Sequence, residues 1–205
     1  MAALTSSEAL AQADVGVSGS ALISIQPIDN WFGGSPYLDE GIGGLAPGVA
    51  AGIDVVTARG FVFVGEFSTV VPYEQEQSGR LVDTRRDAFH SGMSSTRLQD
   101  TLISGLIGFA PGASRHLRIV GGASWLHTAM TEDGIDVEEF GFEDFGEYRR
   151  LALTGGADVR APLSERVSLI FSGRYSWIDR SEVARDLGAG THVIRASGGL
   201  RIRLH

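Results

Sequence analysis

Eight segments of this chain alternate apolar residues with small or polar ones at a period of two, and that repetition restricts the fold more than any other feature. They are residues 16–26, 48–57, 60–71, 98–109, 116–126, 148–160, 167–177 and 192–204. In the first seven, the apolar residues hold odd positions: Ala21, Ile23 and Ile25; Val49, Ile53 and Val55; Phe61, Phe63 and Phe67; Ile103, Ile107 and Phe109; Leu117, Ile119 and Trp125; Leu151, Leu153 and Val159; Leu169, Phe171, Tyr175 and Trp177. The eighth moves to even positions, Ile194, Ala196, Leu200, Ile202 and Leu204, because the connection before it changes the parity. Successive side chains of a strand point to opposite faces, so each segment reads as a strand between two different environments.

The connections alternate between short and long. Residues 58–60, 110–115 and 161–166 are short and carry Gly or Pro, whereas 27–47, 72–97, 127–147 and 178–191 are long. Eight strands with every short turn at one end and every long loop at the other predict an all-β, antiparallel up-and-down barrel. One such domain accounts for residues 16–205. Residues 1–15 stand apart from it: Ala9-Leu10-Ala11-Gln12-Ala13 has the small-residue pattern of a signal-peptidase site, while residues 1–8 have neither a basic region nor an apolar core. The expectation is the remnant of a signal peptide whose start lies upstream.

Alternation alone leaves open which face points inward. The polar face is made of Ser18, Ser20, Ser24, Gly48, Ala50, Gly52, Ser104, Gly108, Gly122, Ala152, Gly156, Ser168 and Ser172. Such small residues suit the crowded interior of an eight-stranded barrel better than a water-facing surface. On the apolar face, Trp125, Tyr175 and Trp177 lie toward the long loops and Phe61, Phe63 and Phe109 toward the turns, a two-girdle arrangement of membrane interfaces. Each segment is also about ten residues long, enough for a tilted strand to cross an outer membrane. A transmembrane barrel with its apolar face outward is the leading expectation, and a soluble lipocalin-like barrel, whose C-terminal helix has no counterpart here, is the alternative.

Composition narrows the function classes. There are no cysteines, which removes thiol catalysis and cysteine-held metals, and the seventeen cations are all arginine. Arginine tolerates enclosed ion-pair networks better than lysine. A net charge of −8 argues against a general nucleic-acid partner.

The final strand carries Ser197-Gly198-Gly199-Leu200-Arg201-Ile202-Arg203-Leu204. Over residues 16 to 205 the chain resembles the small eight-stranded barrels of the outer membrane protein A and X type, which end in an assembly signal of this form. Ser197, Gly199, Ile202 and Leu204 match its polar, glycine and two apolar positions, although the family favours a terminal aromatic where this chain has Leu204 and His205. The resemblance implies a monomer in the bacterial outer membrane, with long loops outside and with short turns and both termini periplasmic. The implied partners are outer-membrane lipid, lipopolysaccharide and the barrel-assembly machinery, with no cofactor and no nucleic acid.

Charges on the polar face are the informative ones, because inside a barrel each must be paired or hydrated. Asp54, Glu66 and Asp100 fall on strands two to four, and Arg118, Arg174, Arg195 and Arg201 on strands five to eight, so the signs come from opposite walls. Depth counted from the turns pairs Arg174 with Glu66 and Asp54. This set reads either as a structural plug or as an ion-pair gate in a narrow lumen.

The third long connection concentrates Glu132, Asp133, Asp136, Glu138, Glu139, Glu143, Asp144 and Glu147, equal in number to the whole net charge. It lacks calcium-loop spacing, so a solvated acidic loop is expected, with Phe140, Phe142 and Phe145 interleaved. Asp83, Asp87, His90, Ser91, Ser94, Ser95 and His127 are residue types that catalyse acyl transfer or hydrolysis, but they have no catalytic spacing. The leading functional expectation is a non-enzymatic surface protein acting in envelope integrity, adhesion or ligand contact. A pore for small solutes and a lipid-modifying enzyme stand behind it.

Overall fold

The computed structural model describes residues 13–26, 44–83, 88–112, 115–133, 146–180 and 190–204. These form nine strand segments: β1 (Asp14–Gln26), β2 (Gly44–Val56), β3 (Phe61–Val70), β4 (Tyr73–Asp83), β5 (Ala88–Phe109), β6 (Leu117–Asp133), β7 (Gly146–Pro162), β8 (Val167–Ile178) and β9 (His192–Arg203). All pairings are antiparallel between chain neighbours, and β1–β9 and β3–β5 contacts close the sheet on itself. β3 and β4 occupy one wall beside β5, so the result is an eight-stranded barrel, with no helix among the described residues.

The break in that wall has a chemical cause. Thr69 faces Thr101 of β5 and Tyr73 faces Leu98, so one more residue lies between them on the β3–β4 side than on β5. Pro72 has no amide hydrogen to give to the ladder, and the extra residue makes a bulge there. The bulge inverts the parity: Val71 is exposed and Tyr73 is buried, its hydroxyl donating to Ser24 Oγ at 2.7 Å. Here the expected loop over residues 72–97 is overturned. Most of it is the β4–β5 hairpin, and β6 and β7 likewise run beyond the expected ends at Leu126 and Tyr148.

The turns follow their sequences. After β2, Thr57 accepts from the Gly60 amide at 2.9 Å, and Gly60 adopts φ 86°, a left-handed conformation that glycine takes without steric cost. After β7, Leu163 and Ser164 both donate to the Val167 carbonyl.

The wall is turned inside out relative to a soluble barrel. Ile107 and Leu45 are 65% and 67% exposed, whereas Val62 and Leu126 are 0% exposed inside. Ile23, Ile53, Phe63, Ile103, Ile119, Leu153, Phe171 and Ile202 extend the outer apolar belt around the barrel. The aromatic residues near both ends of the strands belong to it too, and Phe61 meets Phe109 edge-to-face with ring centroids 6.2 Å apart. An apolar belt of this extent is unfavourable in water and is what acyl chains require. The lipocalin-like alternative fails on this distribution.

Candidate functional site

The barrel interior is the one place where chemistry-bearing side chains converge among the described residues. Its construction follows from parity, since the buried residues of β5 to β8, from Leu98 to Leu106, Leu126 and Asp158 to Arg174 and Ile178, hold even-numbered positions. In the turn half, Arg201 holds Asp54 with two hydrogen bonds, Nε and Nη2 each 2.8 Å from a carboxylate oxygen. Arg118 Nη1 lies 3.1 Å from the same carboxylate. Arg201 also donates to Asp14 at 3.0 Å, and Arg160 donates to Asp14 at 2.8 Å. Beside this cluster, Val56, Val62, Leu106, Ala110 and Val120 form an apolar plug.

Farther along, Arg174 spans the lumen. One arm donates to Asp158 at 2.6 Å and the other to Glu66 on β3 at 3.0 Å. A chain of hydroxyls lines one wall, with Ser104, Ser124, Thr154 and Ser176 linked at 2.7, 2.7 and 2.9 Å. Toward the loops comes a second apolar plug of Leu102, Leu126, Ala152, Ile178 and Val193. Just beyond it Arg180 binds Asp100 in a two-pronged pair, 2.9 and 2.7 Å, and reaches Gln26 at 3.2 Å. Thr128 adds a hydrogen bond to Asp100 at 2.6 Å. Arg195 donates to Ser68 Oγ at 2.6 Å and to the Asp100 carbonyl oxygen at 3.3 Å.

The seven lumen charges singled out from the sequence all point inward, in three groups. Two expectations about them are corrected. Arg174 is paired with Glu66 and Asp158, not with Asp54, because Arg201 and Arg118 take Asp54 nearer the turns. The signs are not segregated by wall either, since Asp158 on β7 and Asp14 on β1 are part of the network. Asp158 and Arg160 were findable, being even-numbered residues of an expected strand. Arg180 and Asp14 lay beyond the expected strand ends, where no parity had been assigned.

Within the candidate catalytic set, His127 is held away from His90 and Ser91. His90 faces Leu81 in the β4–β5 hairpin, whereas His127 faces Thr101, eleven residues farther along β5. That separation is on the order of 35 Å along the strand. His127 instead lies on the outer wall, its Nε2 3.2 Å from Glu147. Asp87 lies outside the described residues, as do Phe140, Phe142, Phe145 and the acidic residues 136–144. No group of His, Asp or Glu side chains with metal-binding geometry occurs among the described residues.

The assembly-signal positions divide between the faces. Ile202 and Leu204 are exposed on the outside, while Ser197 is half-buried among the residues lining the lumen. Gly199 has a packing reason as well, since a methyl group there would collide with the Gly19 carbonyl oxygen.

No protein-family model and no curated protein sequence matches the chain. Solved structures do. The attachment invasion locus protein Ail of Yersinia pestis, solved in complex with the heparin analogue sucrose octasulfate, superposes with a TM-score of 0.55 at 13% identity, over 94% of this chain and 99% of that one. The outer membrane protein OprG from Pseudomonas aeruginosa gives 0.55 at 13% identity, over 94% and 96%. At such identities the likeness concerns the fold. Together with the closed antiparallel wall and its outward apolar belt, it establishes that this chain has the fold of the small eight-stranded outer-membrane β-barrels.

Proposed function

We propose that the protein is a non-enzymatic, non-conducting barrel of the bacterial outer membrane that presents its long loops at the cell surface for contact with a ligand or another surface. The observation that carries this reading is the filled lumen. Side chains of Leu126, Thr128, Ile178 and Arg180 lie across its loop end with essentially no exposure, which leaves the loops as the accessible working part. Eight strands enclose only enough space for side chains, in keeping with that plug. Ion pairs inside the barrel then serve stability and a single register, and lipid and lipopolysaccharide are the surroundings of the outer belt.

The loop chemistry favours a cationic partner. Residues 132–147 contain eight carboxylates and no basic residue, so a polyanion such as a sulfated glycan would be repelled there. Both termini belong at the periplasmic end, since the short turns share it with them.

Three measurements test the proposal. The protein should partition with the outer membrane and run differently on gels before and after boiling, because a closed barrel resists detergent until heated. Recovery as a soluble monomer without detergent would sink the membrane reading. Reconstituted in planar bilayers it should give no unitary conductance, and regular current steps would replace this reading with the pore. Cells displaying it should bind polycation-coated surfaces, with binding lost when the acidic residues of 132–147 become amides; binding unchanged by that substitution would remove the third loop from the contact.

A further inference from the structure

The turn end of the barrel carries cations that the lumen network does not use. Arg59 in the β2–β3 turn, Arg115 in the β5–β6 turn and Arg166 in the β7–β8 turn lie at the surface, and none of them pairs with a carboxylate among the described residues. Arg160 and Arg203 belong to the same end but are held by Asp14. The β3–β5 pairing puts the first two turns side by side. There the Ala110 amide donates to the Gly60 carbonyl oxygen at 2.8 Å, and the Arg115 guanidinium reaches across to donate to the carbonyl oxygen of Ala58, the residue before Arg59. Neither turn offers a counter-charge, since residues 57–62 and 109–117 contain no Asp or Glu.

The backbone singles out Arg115 as well. It adopts φ 50°, a left-handed conformation that is unfavourable for any residue with a Cβ. Glycine would make that turn without strain, so what the arginine adds there is its side chain. Both arginines stand at the margin of the outer apolar belt: Phe61 follows Arg59 by two residues and Leu117 follows Arg115 by two, each exposed, with Phe109 edge-to-face on Phe61. Two strand residues rise about 7 Å, comparable with the headgroup layer on either side of a bilayer's hydrocarbon core. What meets a guanidinium at that depth is a lipid phosphate, whose oxygens fit the arginine fork. Headgroup charge then selects the lipid. A zwitterionic headgroup also brings an ammonium group for which the two turns hold no carboxylate, whereas an anionic headgroup brings the phosphate without that repulsion.

We infer that the adjoining β2–β3 and β5–β6 turns form a binding site for the headgroup of an anionic phospholipid, with Arg59 and Arg115 on its phosphate and the Phe61–Phe109 pair against the start of its acyl chains. The site goes beyond the proposed contact at the loops, because it lies at the opposite end of the barrel and requires only that the protein sits in a membrane. The two ends of the molecule then have different electrostatic tasks, a cationic end that holds lipid and a loop end that carries the acidic residues of 132–147.

The test is native mass spectrometry of the full chain released from mixed vesicles of phosphatidylethanolamine and phosphatidylglycerol, which counts the lipids that stay bound. The native protein should retain phosphatidylglycerol preferentially. That preference should fall roughly fivefold for each arginine removed, in Arg59→Gln and then in the double variant with Arg115→Gln, by the usual contribution of one cation at an anionic surface. Arg166→Gln, next to Glu165 on the third turn, should change it little. No preference in the native protein, or one that survives the double substitution, would overturn the inference. So would an equal loss in Arg166→Gln, which would show attraction to the whole rim in place of a site, or capture by purified peptidoglycan without any lipid preference, which would make this end a cell-wall contact. Should the double variant fail to show the heat-dependent gel shift of a folded barrel, the single variant at the exposed Arg59 decides alone. Conductance across a bilayer, or loops that ignore polycations, would sink the proposed function without touching this result.

Discussion

The two faces of the barrel wall obey different rules, although they alternate residue by residue along the same strands. Outside, Ile103, Ile107, Ile119 and Leu153 are exposed and make few specific contacts, so any apolar side chain of suitable bulk meets the requirement. Inside, nearly every polar group has a named partner, as in the Arg180–Asp100 and Arg201–Asp54 pairs. The outer face is specified by hydrophobicity and the inner face by geometry. Lipid is a tolerant neighbour, whereas a lumen of fixed diameter accepts only side chains that fit and find partners.

The sharpest contrast should come from breaking the cross-lumen pair. Arg174→Met leaves Asp158 and Glu66 without their cation, and the expected loss is roughly 3–5 kcal/mol, less where water reaches the carboxylates. Double-mutant cycles read by urea unfolding in micelles should show coupling of Arg174 to Asp158→Asn and to Glu66→Gln, and much weaker coupling to Asp54→Asn. Additivity in the first two cycles would mean that the lumen is as tolerant as the lipid face.

This difference also explains what was legible in the sequence. Strand number, parity and barrel closure could be read because the outer face repeats one simple property, visible in Phe61, Phe63 and Phe67 or in Leu151 and Leu153. The inward direction of Asp54, Glu66 and Arg174 followed from the same parity. Their partners did not, because pairing depends on tilt and register between strands distant in sequence: Arg201 reaches Asp54 over 147 positions. The β4 strand was hidden by Pro72, which reads locally as a terminator, and the bulge that absorbs it is a property of the closed wall. Arg180 was hidden because it follows a Trp177–Ile178 end that looks complete as a membrane crossing.

A charge on the lipid side should cost somewhat less than the broken lumen pair. Ile103 is outward on β5, six residues before the turn end of that strand at Phe109, and arginine there should destabilise by about 2–4 kcal/mol in a bilayer, with Ile103→Val at under about 1.5 kcal/mol as the control. Unfolding titrations in vesicles, repeated in thinner lipid, should show the arginine penalty falling as the site approaches the interface. A penalty independent of thickness would mean that Ile103 does not face acyl chains.

The smallest effects give the closest comparison, because one methyl group can be placed on either face at nearly the same spot. Gly122 on β6 points inward, and a Cβ there would run into the carbonyl oxygen of Gly105 on the neighbouring strand. Backbone cannot yield as a flexible side chain does, so Gly122→Ala should cost about 1–3 kcal/mol through strain. Gly105 itself points outward, and a Cβ there meets nothing within 4 Å. With no clash to oppose it, Gly105→Ala restricts the unfolded chain and covers some backbone, so it should be neutral or stabilising by up to about 1 kcal/mol. Urea midpoints of the two variants, measured in the same lipid, should therefore move in opposite directions or differ by well over 1 kcal/mol after conversion. Equal shifts would show that the wall yields at Gly122, and the geometric strictness assigned to the inner face would then hold for its ion pairs alone.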